Sequence, residues 1–307
     1  MPQPSPGSAA AAAPVLAARS ARARRGLAFA ALLLGGAALG LSPIFVRLAD
    51  VGPTASAFWR VALAVPVLWL WVLAHERLAL PRARALLGPV LLAGVFFAAD
   101  LGVWHWSIMY TTVANSTLLA NFAPIFVTLG GWWLFGSRVS RPFVLAMLTA
   151  LAGTALLVGP SFSLGARHVI GDALGFLTAV FYAGYMLSVS RARAAVSTAA
   201  LMALSTTVTA LLLLPLAALS PPPLLPESAR GWSMVLGLAL VSQVLGQSLI
   251  AYAFAHLSAA LSSVTVLIQP VVATVLAWSL FGEALGLWQL LGGVLVLAGI
   301  FLARRSE

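Results

Sequence analysis

The sequence predicts an all-α integral membrane protein: ten transmembrane helices forming two inverted five-helix repeats around a central cavity. Three observations predict this fold. Of 307 residues, 62% are hydrophobic and only 8% are charged, with a mean hydropathy of +1.04, whereas soluble domains carry about 25% charged residues. Apolar runs of about 20 residues, enough to cross a hydrocarbon core of about 30 Å, recur along almost the whole chain and leave no sizeable soluble domain. The chain also aligns with itself when shifted by 146 residues.

Taken in order, residues 1–26 open with "MPQPSPGSAAAAAPVLAARSARAR", rich in Ala, Pro and Ser and ending in Arg. This composition predicts a disordered cytoplasmic tail. The apolar run after Arg25 has full spanning length and no polar cleavage region, so it reads as an uncleaved first helix rather than a signal peptide. Ten spans follow at 27–46, 55–74, 86–107, 114–134, 143–160, 171–190, 198–219, 232–255, 259–281 and 286–303. An even number puts both termini on one side of the membrane.

All 17 basic residues are Arg, and apart from Arg60, which lies within a span, they fall in alternate loops. With the termini in the cytoplasm, 13 lie inside (Arg19, Arg22, Arg24, Arg25, Arg77, Arg82, Arg84, Arg138, Arg141, Arg191, Arg193, Arg304 and Arg305) against Arg47, Arg167 and Arg230 outside. Cytoplasmic loops carry the excess of positive charge, so the expected location is the inner (plasma) membrane with both termini cytoplasmic. A net charge of +10 would suit nucleic acid only if gathered on one folded face, and it is dispersed. The expected partners are the lipid bilayer and a small-molecule substrate, with no nucleic acid; oligomeric state is not encoded in any pattern. There is no Cys, which excludes disulfides, thiolate chemistry and Cys-based metal sites.

In the repeat, "ANSTLLANFAPIFVTLGGWWLFG" (114–136) lies over "ALSSVTVLIQPVVATVLAWSLFG" (260–282), and "LAG" at 151–153 over "LAG" at 297–299. Ala114, Ser116, Pro124, Thr128, Trp132, Leu134, Phe135 and Gly136 each meet their own kind. The domains predicted are a first repeat at 27–160, a second at 161–303 and a short tail at 304–307. Five spans per repeat is odd, so the second copy enters the membrane upside down. Inverted repeats are a transporter signature, because two such copies can exchange conformations around a central site.

The two repeat endings, "PIFVTLGGWWLFGSRVS" and "PVVATVLAWSLFGEALGLWQLLGGVLVLAGIFL", carry a resemblance to the EamA type of the drug/metabolite transporter superfamily, over roughly residues 27 to 303. The second resembles the family's pattern of Pro, apolar run, Gly-Glu and Gly-rich last helix at Pro270, Gly282, Glu283, Gly292, Gly293 and Gly299. The first departs from it at Ser137, where the pattern has Glu. The resemblance implies two inverted five-helix bundles around a central cavity and export of amino acids, other small metabolites or drugs. It does not specify a cargo.

Ionisable groups inside spans are costly, about 2.5–3.5 kcal/mol each near the bilayer centre on insertion scales, and normally face a cavity or partner. By the helical rise, Arg60 in "AFWRVALA" lies roughly 8 Å below the outer surface, and Asp100 and Asn121 roughly 10 Å. Arg60 and Asp100 then either face one outer-half cavity, where they pair or hold the charged ends of a zwitterionic substrate, or form a structural ion pair that locks helices, or Arg60 snorkels to the surface. Asp100 is also a candidate for carrying a coupling proton. His105, roughly 3 Å below the surface between Trp104 and Trp106, reads as an interface histidine or a pH-sensitive gate. Trp104 shares a helical face with Asp100 and offers an apolar wall. Near the midplane of the second repeat stand Gln243 and Gln269, which either bind substrate or hydrogen-bond between helices. The predicted substrate-binding set is thus Arg60, Asp100, Trp104, Asn121, Gln243 and Gln269, with Asp100 and His105 as the candidates for proton coupling.

Enzymatic chemistry is disfavoured. Ser248 in "GQSL" and His256 are separated by about 12 Å along one helix, beyond hydrogen-bond reach. There is no zinc motif, carboxylate cluster or phosphate loop, so no metal or cofactor is expected. The competing readings are a passive solute channel, which would use the same cavity without alternating access, and an intramembrane enzyme.

Overall fold

The structure, a computed structural model, describes residues 6–75, 87–159, 168–220, 223–282 and 285–307. Arg77, Arg82, Arg84, Arg167 and Glu283, which enter the charge and motif readings, lie outside the described residues. Among the described residues ten helices are long and apolar enough to span a membrane. We number them α1 (Ser20–Leu48), α2 (Pro53–His75), α3 (Leu87–Tyr110), α4 (Asn115–Phe135), α5 (Arg141–Val158), α6 (Val169–Ala192), α7 (Thr198–Ala218), α8 (Ala229–Ala253), α9 (Ala259–Phe281) and α10 (Leu287–Arg305). The amino-terminal segment differs from expectation: helix begins at Pro6 and runs unbroken to Gly40. An alanine run has the highest helix propensity, and proline is favoured in a first turn.

Helix starts follow local chemistry. The side chains of Thr112, Ser140, Ser197, Ser228 and Ser258 each accept a backbone N–H of the first turn of the helix that follows, which satisfies one of the orphan donors there. Prolines mark the interruptions. α1 breaks at Leu41 before Pro43, α2 at Leu63 before Pro66, α4 at Asn121–Phe122 before Pro124, and α9 at Leu267 before Pro270. Proline has no N–H and crowds the carbonyl four residues back; in a membrane such backbone is tolerated where it meets protein or a cavity. α8 widens into a π-helix over Leu238–Gln247.

The 146-residue shift is visible in the backbone. Thr112 and Ser258 cap α4 and α9 at their starts, both helices break before the matched prolines, and both end on a left-handed glycine, Gly136 (φ 65°) and Gly282 (φ 67°). Among the described residues these are the only positive φ values, a conformation glycine adopts without steric cost.

α5 and α10 pack closely through equivalent residues. A Cβ on Gly153 would lie 2.6 Å from the Val296 nitrogen and 2.7 Å from the Gly292 oxygen; one on Gly299 would lie 2.6 Å from the Ala150 nitrogen and 2.8 Å from the Ala146 oxygen. Numbers rise along α5 as they fall along α10, so the helices run antiparallel, and the 146-residue shift exchanges the two sets of contacts. The main core joins α1, α2, α3, α6, α7 and α8, and a second links α5, α9 and α10 to α1. Outside these cores Leu, Val, Phe and Trp side chains remain exposed on the helices, as a surface solvated by lipid requires.

Candidate functional site

A cavity of about 200 Å³ opens among the halves of α1, α2, α3, α4, α6, α8 and α9 remote from the two termini. The interrupted backbones supply much of its wall: Gly40, Ser42 and Pro43 from α1, Ala120 and Asn121 from α4, and Gln269 and Pro270 from α9. On its side nearer the termini the second part of α4 (Ala123–Phe135) packs on the first part of α9 (Ala259–Val266), with Ile125 set against the core that holds Leu261 and Val264.

Five of the six residues predicted to bind substrate line this cavity: Arg60, Asp100, Trp104, Asn121 and Gln269. Arg60 and Asp100 are 9% and 8% exposed, and both line the cavity. Among the described residues they close no direct ion pair. Arg60 Nε instead donates to Gln243 Oε1 at 3.0 Å, and the guanidinium lies 5.5 Å from the centroid of the Phe97 ring, within cation–π range. Neither the terminal nitrogens of Arg60 nor the oxygens of Asp100 take a hydrogen bond among the described residues, and none of these atoms is sealed from the cavity. The site therefore presents free donors on one wall and free acceptors on another.

Gln243 is placed differently from its prediction. It is 1% exposed and absent from the cavity wall, standing behind Arg60 with its Nε2 donating to Thr206 Oγ1 at 3.2 Å. Asn121 turns its amide back on its own helix, Nδ2 to the Thr117 carbonyl at 2.9 Å, which serves backbone loosened at the break. His105 also departs from expectation. Instead of lying near water it is 3% exposed and belongs to the cavity wall, because α3 continues to Tyr110 and Trp106 takes the outward face of this turn. Its Nδ1 bonds the Leu101 carbonyl and its Nε2 is buried without a partner; a carbonyl only accepts, so Nδ1 carries the hydrogen.

Sequence reasoning missed Tyr182, Gln247 and Thr178, all in the cavity wall. Tyr185, behind them, donates to Gln247 Oε1 at 3.1 Å and stacks on Phe97 with centroids 4.7 Å apart. Gln247 was legible as an amide four residues beyond Gln243. The tyrosines were not, since an aromatic in an apolar helix reads as packing. Asn115 and Asp172 bond one another, Nδ2 to Oδ1 at 3.0 Å, and Thr111 Oγ1 donates to the same oxygen at 2.6 Å, so they tie α4 and α6 together outside the site.

A multi-pass α-helical bundle whose interrupted helices border a largely apolar cavity with a few charged and polar side chains defines the class: a membrane protein built to admit a small solute. The chain belongs to the EamA-like transporter family, whose sequence profile matches twice, at residues 26–159 and 169–305. It is therefore a transporter of the drug/metabolite superfamily, multi-pass in the membrane. The pseudopaline exporter CntI of Pseudomonas aeruginosa (strain UCBPP-PA14) is 28% identical over 251 residues, 81% of this chain and 85% of that protein. An uncharacterized transporter of Archaeoglobus fulgidus is 28% identical over 277 residues, 90% of this chain and 96% of its own. A crystal structure superposes with a TM-score of 0.74 at 21% identity, covering 92% of this chain and 98% of the other; that likeness concerns the fold.

Proposed function

We propose that the protein is a secondary transporter that exports small zwitterionic metabolites, amino acids among them, across the inner membrane by alternating access, with both termini cytoplasmic. The observation that carries this reading is that Arg60 and Asp100 face one cavity without pairing. A substrate carboxylate meets the free nitrogens of Arg60, an ammonium meets Asp100, and Trp104 walls the apolar part. Asn121 and Gln269 border the site at the two helix breaks, and Gln243 supports Arg60 from behind. Asp100, with His105 five residues on, is the candidate carrier of a coupling proton.

Direction is supported by the relative whose name is that of an exporter. Alternation is supported by the antiparallel, reciprocal packing of α5 on α10 and by the matched breaks of α4 and α9. With cytoplasmic termini, the cavity is closed inward and faces outward; exchanging the roles of the two repeats opens it inward.

Counterflow tests the reading. Purified protein in proteoliposomes is loaded with a pool of unlabelled amino acids and metabolites and offered each in labelled form, for wild type and Asp100→Asn. A transient overshoot for a zwitterionic solute, lost in the variant, is expected. Equilibration without overshoot would make the protein a pore, and an unaffected variant would remove Asp100 from the site.

A further inference from the structure

We infer that Gln243 and Thr206 are positioning residues that present Arg60 end-on to the carboxylate of the substrate. The inference rests on the zwitterion reading above and adds a specificity device to it.

A guanidinium has five N–H donors in a rigid fork. A carboxylate can dock on it with two parallel bonds, either side-on, through Nε and one terminal nitrogen, or end-on, through both terminal nitrogens. In this structure the side-on edge is occupied. Nε donates to Gln243 Oε1 at 3.0 Å, and the Gln243 amide cannot turn away, because its Nε2 donates to Thr206 Oγ1 at 3.2 Å. Arg60 accepts nothing, so the amide oxygen must face it and the amide nitrogen must face Thr206. The arrangement is buried throughout, with Gln243 and Thr206 each 1% exposed, and Phe97 flanks the guanidinium. Only the terminal nitrogens are left to the cavity.

The amide also explains why the acceptor is uncharged. A carboxylate at position 243 would orient Arg60 equally well but would neutralise it, whereas a neutral acceptor fixes the fork and leaves its charge for the ligand. Gln243 lies in the π-helical stretch of α8 and Thr206 in α7, while Arg60 lies in α2. The second repeat therefore orients the anion-binding group of the first. Recognition by both terminal nitrogens selects a carboxylate over its carboxamide, which offers one oxygen in place of two.

The test uses counterflow of a labelled amino acid that the wild type moves, competed by the unlabelled amino acid or by its carboxamide. Variants are Gln243→Met, close in size without a strong acceptor, Thr206→Val, which removes the hydroxyl at constant shape, and Thr206→Ser, which restores it. The wild type should prefer the acid; Gln243→Met and Thr206→Val should raise KM at least about tenfold, the order expected for a hydrogen bond to a charged group, and erase most of the preference with little change in kcat. Thr206→Ser should keep it. If the wild type prefers the acid but Gln243→Met and Thr206→Val keep that preference, the positioning role is overturned while the zwitterion site stands. If the wild type moves only solutes lacking a carboxylate, both readings fall. Should Gln243→Met fail to fold, the comparison of Thr206→Val with Thr206→Ser decides alone.

Discussion

Arg60 and Asp100 reach one cavity from α2 and α3 without closing an ion pair. Breaking a buried pair costs about 3–5 kcal/mol because a charge is left uncompensated, but here Arg60 already has its own partner in Gln243. Asp100→Asn is therefore expected to leave the melting temperature in detergent unchanged or raised, while transport falls at least about tenfold, the scale of one lost charge-assisted contact. A large loss of stability in Asp100→Asn would instead show that the two residues lock helices together.

Between the cavity and the termini α4 packs on α9, and the proposed transport cycle has the cavity facing outward. The chain has no cysteine, so single cysteines can be placed on it directly. Ala273→Cys, in the cavity wall, should react in intact cells with a membrane-impermeant maleimide added outside, and an added substrate should protect it. A tag following Glu307 should be digested only when the membrane is opened. Labelling of Ala273→Cys only from the cytoplasmic side would reverse the orientation.

Gly153 and Gly299 hold equivalent places in the α5–α10 contact, where a Cβ on either would come within 2.6 Å of a backbone atom of the other helix. Gly153→Ala and Gly299→Ala should each cost about 1–3 kcal/mol, the range for overpacking, and should do so to similar extents. Once the helices have parted for one methyl group, the second should cost less, so the double variant is expected to be less than additive. Thermal unfolding of the four proteins in detergent measures this, and a tolerated single variant would contradict the close approach.

At the end of the bundle remote from the termini, Asp50 in the α1–α2 connection binds the start of α8. Ser228 donates its backbone N–H to Asp50 Oδ2 at 2.9 Å. Hydrogen bonding from Ser228, its side chain first, holds Asp50 below the ordinary carboxylate value of 3.8 against an opposing effect of burial. A depressed value means that the contact stabilises the fold above pH 3.8 and loses its contribution as pH falls from there through the folded value. The difference in melting temperature between wild type and Asp50→Asn should therefore be constant near neutrality and shrink in acid; a difference that persists unchanged at pH 3 would rule the linkage out. Gly231→Ala should mimic the loss at all pH values, since its Cβ would fall 1.7 Å from Asp50 Oδ1.

By itself the sequence determined the class of fold and its periodic plan. Length and apolarity gave ten spans, because a bilayer demands about 20 apolar residues per crossing. The shift of 146 residues located the matched prolines Pro124 and Pro270 and the matched glycines Gly136 and Gly282, whose backbone consequences are local and need no tertiary partner. Depth along the helix put Arg60, Asp100 and Asn121 on one level. The burial of His105, the place of Gln243 behind Arg60, and the presence of Tyr182 and Gln247 in the cavity wall were decided only by the tertiary structure. In water a polar stripe tells which side of a helix faces out. In lipid the outward face is as apolar as the packed one, so the sequence carries how deep a side chain lies, and only packing decides which way it points.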